Sequence, residues 1–132
     1  MHKKFITTGA LLGAVAVALG AFGAHGLKKI VPAETVQTFQ TGVQYQMYHA
    51  LALLLTGLLY EKCYQKFARI AGILFMIGII LFSGSLYLIT AGRAAETSSL
   101  DKSGIITPFG GIAFIAGWVF LFLAAMKKTG RS

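Results

Sequence analysis

The stretch GILFMIGIIL, residues 72–81, presents apolar side chains at every helical position. A helix that is apolar all round suits lipid or a fully buried position, and lipid is the simpler choice. Working outward from this stretch, four long apolar runs cover residues 5–27, 43–60, 67–91 and 105–126. Each is near or above the roughly 18 to 20 residues that cross a bilayer core of about 30 Å. The sequence therefore predicts an all-α integral membrane protein, a four-helix bundle with both termini on one side.

The composition supports a single membrane domain over residues 1–132. The chain is 56% hydrophobic and 12% charged, with a mean hydropathy of +0.73, and its loops are too short to form a second domain. Its net charge of +8 raises the question of nucleic acid. However, the basic residues flank the apolar runs, where lipid headgroups and insertion signals explain them. We therefore expect membrane lipids as partners and no nucleic acid, and the single cysteine, Cys63, excludes a disulfide within the chain.

The basic residues of alternate loops predict the orientation, because the side with more of them normally stays in the cytoplasm. One side has Lys3, Lys4, Lys62, Lys66, Arg69, Lys127, Lys128 and Arg131. The other side has Lys28, Lys29, Arg93 and Lys102. This places both termini and the loop at residues 61–66 in the cytoplasm. In an alternative interpretation the first run is a cleavable signal peptide, although it continues past the usual apolar core of about 7 to 15 residues.

Small residues recur along one face of the first and fourth runs. They are Gly9, Gly13, Ala16, Gly20 and Gly23 in the first, and Gly110, Ala113, Gly117 and Ala124 in the fourth. Such stripes let helix backbones approach closely in lipid. We predict that the first and fourth helices form a tight pair. The GxxxG at Gly9 and Gly13 also allows a dimer, but a contact within the chain is favoured.

The segment before the second run predicts an amphipathic helix over residues 32–42 that continues into that run. Pro32 suits a first helical position, and Glu34 suits the positive end of the helix dipole. Apolar Val36, Phe39 and Val43 share one face, Gln37, Gln40 and Gln44 share the other, and Gly42 offers a place to bend. The small and polar segment at residues 93–104 is expected to be a mobile external connection.

Polar residues concentrate in the half of the spans that is predicted to lie outside. They include Gln46 and His49, whereas the inner half has little beyond Thr7, Thr8, Thr56 and Trp118. Because unpaired polar groups are costly in hydrocarbon, this asymmetry predicts an outward-facing polar cavity near His49. The candidate ligand-binding residues are His25, Tyr45, Gln46, His49, Ser83, Ser85, Tyr87 and Thr107.

Each candidate also has a structural interpretation. His49 can be a neutral imidazole hydrogen-bonded between helices, and His25 can cap a helix end. Serines in membrane helices often bond back to carbonyls of the preceding turn. Two histidines without an intramembrane acid or cysteine make a poor metal site, so we expect no metal and no cofactor, although a bis-histidine haem stays open. No residue pattern predicts a catalytic site.

Four blocks of sequence resemble a known family. They are LGAFGAHGL at residues 19–27, YQMYHALALLL at 45–55, FSGSLYL at 82–88 and ITPFGGIAFIAGW at 106–118. In this order they are similar to the signature blocks of the small bacterial membrane family catalogued as domain of unknown function 423, whose animal relatives are called transmembrane protein 256. The resemblance implies four transmembrane helices, retention of the first, and the bacterial inner membrane. It implies no activity, and all eight candidate residues lie inside or beside these blocks.

Three hypotheses for function follow. The first is a non-enzymatic binding or accessory membrane protein, whose cavity holds a lipid headgroup or other small ligand, or whose helices dock on a larger membrane complex. The second is a small transporter that works as a homo-oligomer. The third, and least favoured, is a haem- or quinone-binding protein or membrane enzyme that uses His25 and His49.

Overall fold

The computed structural model describes residues 1–127, and most of this part of the chain is α-helical. The α-helices are α1 (Lys3–Ala24), α2 (Ala33–Leu58), α3 (Gln65–Gly78), α4 (Gly84–Ala94) and α5 (Thr107–Met126). A π-helical segment, Ile79–Ser83, joins α3 to α4 in one continuous rod. Short 3-10 helices occupy the connections at Leu27–Lys29, Tyr60–Lys62 and Ser99–Ile105. Lys128 and Arg131, which enter the charge count, lie outside the described residues.

Successive rods pack side by side and antiparallel, with α2 in the middle. Gly9 near the start of α1 lies against Ala50 of α2, whereas Gly23 near the end of α1 lies against Gln40. On its other side α2 contacts both α3 and α4, and α5 packs along α3 and the π-helical segment. The rods therefore follow chain order as up, down, up, down.

Three helical stretches in residues 1–127 are long and apolar enough to cross a membrane: Lys3–Lys29, Gln65–Ala94 and Ser99–Met126. The 26-residue α2 is not among them, because its first half carries Glu34 and several glutamines. Helices that could span a membrane are thus present at three of the four predicted positions. The crossing at residues 43–60 stays a prediction.

The start of α2 is helical and amphipathic, but Gln40, which the sequence pattern predicts to face water, packs on α1 and donates to the Gly20 carbonyl at 3.2 Å. The helix begins at Ala33, directly after Pro32, and Val36 and Phe39 are buried while Gln37 is exposed. The expected bend at Gly42 is absent, since α2 is continuous through this residue. A side chain at Gly42 would meet the Tyr87 ring and the Ser83 carbonyl, so this glycine serves close approach of α4 and not a bend.

The predicted pairing of the first and fourth helices is wrong. In the described residues the small-residue face of α1 packs on α2, and that of α5 packs on α3 and the π-helical segment. Gly20 lies against Val43 of α2, whereas Gly117 lies against Phe75 of α3. Both stripes mediate close packing, but each packs against a neighbour that is close in chain order.

The connection after α4 is folded, in contrast to the mobile loop expected from its composition. Glu96 adopts a left-handed conformation with φ 58°, and the Thr97 N–H donates to the Gly92 carbonyl at 2.9 Å. These are the features of a Schellman helix end. The Arg93 guanidinium then pairs with the Asp101 carboxylate at 2.8 Å, within the arm that leads into the 3-10 helix.

One end of the bundle, called the basic end below, brings the chain start, the 59–66 connection and the end of α5 together. The His2 N–H donates to the Gly57 carbonyl at 2.9 Å. The Tyr64 N–H donates to the Ala124 carbonyl at 2.9 Å, and Cys63, Ala68 and Ala124 form a small buried cluster there. The opposite end holds the connections at residues 25–32 and 95–106.

Candidate functional site

His49, the centre of the predicted cavity, has both ring nitrogens engaged. Its Nδ1 lies 2.7 Å from the Tyr45 carbonyl oxygen, and its Nε2 lies 3.1 Å from Nε1 of Trp118. Because an indole N–H only donates, Nε2 of His49 accepts, and the proton sits on Nδ1 and is donated to Tyr45. His49 is therefore a neutral imidazole in its Nδ1–H tautomer that links α2 to α5.

Aromatic side chains fill the space around His49. The Phe114 ring is stacked on the imidazole, with ring centres 3.5 Å apart and planes 10° from parallel. Phe75 of α3 and the Trp118 ring pack against it as well, and His49 is only 4% exposed. The space where the sequence predicts an open polar cavity is thus occupied by Phe114 and its neighbours.

Gln46, one turn before His49, joins three helices. Its side-chain Nε2 donates to the Leu12 carbonyl of α1 at 2.8 Å, and its Oε1 accepts from the Tyr87 hydroxyl of α4 at 2.6 Å. Gln46 is 3% exposed, so both bonds form away from solvent. Both ends of the amide are bonded within the bundle, which explains how a glutamine is accommodated this deep in it.

The two serines that follow Phe82 bond in different directions. The Ser83 hydroxyl donates across to the Gly42 carbonyl of α2 at 2.6 Å. The Ser85 hydroxyl donates back to the Phe82 carbonyl at 2.8 Å and also contacts the Thr107 hydroxyl at the start of α5. Ser85 thus bonds as the sequence predicts for membrane serines, whereas Ser83 forms a helix–helix bond. Ser83 is the last residue of the π-helical segment, a local irregularity that is often found at functional sites.

His25 and His49 do not meet. His25 is exposed at the end of α1, where the adjacent Gly23 packs against Phe39 and Gln40 of α2. His49 lies ten residues after Phe39, which corresponds to about 15 Å along a helix. Two axial ligands of one haem iron must converge on a single atom, so these histidines do not provide that pair. In residues 1–127 no group of three or more His, Cys, Asp or Glu side chains could hold a metal ion.

Tyr45 lies at the edge of this cluster and is 37% exposed. Its ring packs 4.6 Å from that of Phe82, between centres. Of the eight candidates, Tyr45, Gln46, His49, Ser83 and Tyr87 thus gather around α2. Ser85 and Thr107 form a separate contact between α4 and α5, and His25 stands apart at the opposite end.

Sequence reasoning missed Phe114 and Trp118 as neighbours of His49. The two aromatics are four residues apart and share one face of α5, as neighbours at this spacing do. That spacing was a usable signal for a stacking platform. However, residue counting along the spans predicts Trp118 in the inner half of the membrane and His49 in the outer half, which does not indicate that the two side chains meet.

Within residues 1–127, a cavity lies at the opposite end, between the start of α2 and the end of α4. Its volume is about 140 Å³, and it is lined by Pro32, Glu34, Thr35, Thr38, Ile89 and Arg93. None of the eight candidate residues lines it. It opens among exposed side chains at the rim, whereas the predicted cavity would have extended inward to His49.

The buried polar side chains of the described bundle all have partners. Gln46, His49, Thr56, Ser83, Ser85 and Thr90 are each buried and hydrogen-bonded. In residues 1–127 the one buried side-chain oxygen without a partner is Oδ1 of Asp101, in the connection outside the bundle. These hydrogen bonds therefore hold the helices of the bundle together.

Comparison with known proteins agrees with the blocks in the sequence. The family model described as "Protein of unknown function (DUF423)" matches residues 19–111. This range includes His49 of α2, Phe75 of α3 and the start of α5. The chain belongs to this family. The match begins inside α1 and ends inside α5, so it covers most of the bundle.

Relatives in this family match along nearly their whole length. The UPF0382 membrane protein YwdK of Bacillus subtilis is 44% identical over 126 residues, 95% of this chain and 98% of that protein. A UPF0382 membrane protein of Haemophilus influenzae is 42% identical over 128 residues, 97% of this chain and 98% of that protein. The UPF0382 inner membrane protein YgdD of Escherichia coli is 36% identical over 125 residues, 93% of this chain and 91% of that protein. No solved structure matches the chain.

The names of these relatives and the three long apolar helices both indicate a membrane protein. The chain is a membrane protein of a family whose molecular function is unknown.

Proposed function

We propose that the protein is a non-enzymatic accessory protein of the bacterial inner membrane. It forms a four-span bundle with both termini in the cytoplasm, and it acts through its outer surface by binding lipids and a membrane partner. A ligand held inside the bundle is not part of this proposal.

The observation that carries the proposal is the pairing of the interior polar groups. His49 uses both ring nitrogens, and Gln46 uses both ends of its amide, on groups of the same chain. A group that carries a proton or binds a ligand needs a free position, which the His49 ring lacks, and Gln46 is held in place by its bonds to two other helices. A small oligomeric transporter, the alternative from the sequence, needs a water path, and the stacked Phe114 ring gives it no support.

The outer surface offers what the interior lacks. Helices α1 and α5 expose large apolar side chains along their length, including Leu11 and Phe22 on α1 and Ile115 and Phe122 on α5. Contiguous apolar surface of this kind marks contact with membrane or with another protein. Glycines of both helices, such as Gly9 and Gly117, pack inside the bundle, whereas Ala10, Ala14 and Ala18 of α1 are exposed beside the large apolar side chains that a partner would meet.

Four crossings follow most simply from the connectivity. The chain start and the end of α5 lie at the same end of the bundle, which requires an even number of crossings if the outer rods span the membrane. Helix α2 runs antiparallel between α1 and the α3–α4 rod and is 26 residues long, enough for about 39 Å of helix. The excess of basic residues at the basic end supports a cytoplasmic location for that end.

Cysteine labelling tests this orientation. In a Cys63→Ala background, Lys29→Cys at the opposite end should react with a membrane-impermeant thiol reagent in intact cells. Lys62→Cys at the basic end should react only after the membrane is opened. Both lysines are exposed, so accessibility within the protein does not differ. The reverse pattern would overturn the orientation, and labelling of both from outside would overturn the four-span arrangement.

Gentle extraction tests the accessory role. Native membrane discs cut around the tagged protein should contain a defined lipid set or a stoichiometric protein, identified by mass spectrometry. His49→Leu should leave the co-purified lipid or protein unchanged because His49 is interior. Ile115→Lys on the exposed face of α5 should reduce the amount that co-purifies. A bare monomer recovered from every gentle extraction would contradict the proposal.

A further inference from the structure

Exposed cations converge at the basic end from four separate elements. They are Lys3 and Lys4 at the start of α1, Lys62 in the 59–66 connection, Lys66 and Arg69 at the start of α3, and Lys127 after α5. All six are exposed. The hydrogen bonds from His2 to Gly57 and from Tyr64 to Ala124 hold these elements together, so the cations form one surface.

Acidic residues do not balance this surface. Glu61 is the one acid of the chain that lies at the basic end. Its carboxylate lies 2.7 Å from the ammonium of Met1. The other three acids of the chain, Glu34, Glu96 and Asp101, lie at the opposite end among Lys28, Lys29, Arg93 and Lys102. The opposite end is therefore close to neutral, whereas the basic end carries a strong positive charge.

The placement of these cations on their helices is also unfavourable. The amino-terminal end of a helix carries a partial positive charge, which favours acids in the first turn and disfavours bases. Helix α2 follows this rule with Glu34. Helices α1 and α3 both begin at the basic end, have no acid in the first turn, and carry Lys3, Lys4 and Lys66 there instead. The carboxyl-terminal ends of α2 and α5 lie at the same surface and offset these two dipoles, so the positive charge of the basic end comes from the six cations.

Aromatic side chains mark the depth of this surface. Tyr60, Tyr64 and Phe67 lie among the cations, and the Lys127 ammonium sits 3.9 Å from the centre of the Tyr64 ring. Tyrosines with neighbouring lysines are typical of the headgroup layer of a bilayer. Anions available in that layer are the phosphodiesters of acidic phospholipids, whose negative surface attracts clustered basic residues.

We propose that the basic end is a binding surface for acidic phospholipid headgroups, with Lys66 and Arg69 at the start of α3 as its centre. The bound phosphodiesters compensate the clustered cations. This deepens the proposed function and rests on one part of it, namely that the bundle lies in a bilayer. It requires neither a protein partner nor a particular orientation.

A pair of charge-matched variants tests the proposal. The test variant is Lys66→Gln with Arg69→Gln at the basic end, and the control is Lys28→Gln with Lys29→Gln at the opposite end. Each removes two exposed cations. Unfolding temperature and retained lipid are measured for the full chain in nanodiscs of phosphatidylcholine, and in nanodiscs that also contain phosphatidylglycerol.

The wild type and the control should unfold at a higher temperature and retain phosphatidylglycerol in the acidic discs. The test variant should lose most of this rise. In neutral discs the test variant should be at least as stable as the wild type, because it lacks two cations at a helix start. High salt should shrink the rise, since exposed charges are screened. Lys3→Gln with Lys4→Gln provides a second test at the basic end. The charge-preserving exchange Lys66→Arg with Arg69→Lys should show the same rise in unfolding temperature as the wild type.

Three results would overturn the proposal. Equal stabilisation of test and control variants would show that phosphatidylglycerol acts without the basic end. The same unfolding temperature in both disc types would show that the cations serve insertion alone. A rise produced in neutral discs by inorganic phosphate would assign the surface to free anions. Failure of the wild type to remain in either disc would instead overturn the membrane placement, and with it the proposed function.

Discussion

The α1–α2 pair and the α3–α5 pair bring helix backbones close by different means. Between α1 and α2, glutamine side chains of α2 donate to carbonyls of α1, with Gln46 reaching Leu12 at 2.8 Å. Between α3 and α5, phenylalanine rings enter notches above glycines. Phe114 covers Gly78, and Phe75 covers Gly117 in return.

This difference follows from the lipid that surrounds the bundle. Burial of apolar side chains drives helices together only weakly in lipid, because the lipid tails are equally apolar. The α1–α2 pair therefore adds interhelical hydrogen bonds, each of modest strength, to the close contact at Gly9, whereas the α3–α5 pair relies on shape. A hydrogen bond can be lost at limited cost, whereas a ring seated on a glycine leaves no room for an added methyl group. The predictions below test whether shape outweighs hydrogen bonding.

The largest effect is expected at Gly110, where α5 begins. A β-carbon added there would overlap the backbone nitrogen and Cα of Phe82, which cannot move aside as a side chain can. Gly110→Ala should therefore destabilise the protein by about 3 kcal/mol, as overpacking of a tight contact does. The measurement is the free energy of unfolding in mixed micelles with increasing denaturing detergent.

The neighbouring glycine provides the control for this prediction. A β-carbon at Gly111 would come no closer than 4.0 Å to the Phe82 ring. Gly111→Ala should leave stability unchanged or raise it by up to about 1 kcal/mol, because alanine favours a helix. Equal destabilisation by the two substitutions would mean that the close approach of α5 to Phe82 is not present.

An intermediate effect is expected at the GxxxG of α1. A β-carbon at Gly9 would lie 2.8 Å from the Ala50 carbonyl oxygen, whereas one at Gly13 would meet only the Met47 sulfur, at 3.9 Å. Gly9→Ala should cost about 1 to 2 kcal/mol by overpacking. Gly13→Ala should be neutral or slightly stabilising. Similar losses at both positions, together with a change in oligomeric state, would instead indicate the dimer interface that the motif also allows.

Much of the fold could be predicted because lipid imposes strong rules. The apolar runs become helices at nearly the expected residues, and the face of α2 that carries Val36 and Phe39 is buried. Gln46 and His49 could be singled out because a polar side chain in hydrocarbon needs a partner. Their burial and their bonds between helices follow from the same rule.

The partners could not be predicted. A stripe of small residues indicates that another helix backbone comes close, but it does not identify that helix. The stripe on α1 therefore predicts α5 as its partner, whereas in the structure it packs on α2. Counting residues along a span gives depth but not rotation, so polar groups that face one another look the same as groups that line a void. Phe114 decides between the two at His49, and its apolar side chain gave no sign of this role.

A smaller effect is expected at Gln46. Gln46→Leu removes the donor to Leu12 and the acceptor of the Tyr87 hydroxyl, and interhelical hydrogen bonds in membranes average about 0.6 kcal/mol each. A loss of about 1 kcal/mol in unfolding free energy is therefore expected. Gln44→Leu, on the exposed face of α2, should cost much less. A loss at Gln46 as large as at Gly110 would reverse the ranking of shape over hydrogen bonding.

The smallest effect is expected where the two kinds of contact meet, at the bond between His49 and Trp118. Trp118→Phe keeps an aromatic ring but removes the indole N–H, so it should cost about 0.6 kcal/mol. The same substitution in a His49→Leu background should cost less, and the difference gives the coupling energy of the pair. Additive losses would mean that the indole N–H is not bonded to Nε2 of His49. That nitrogen would then be free, and a ligand-binding role for His49 would again be the better explanation of its position.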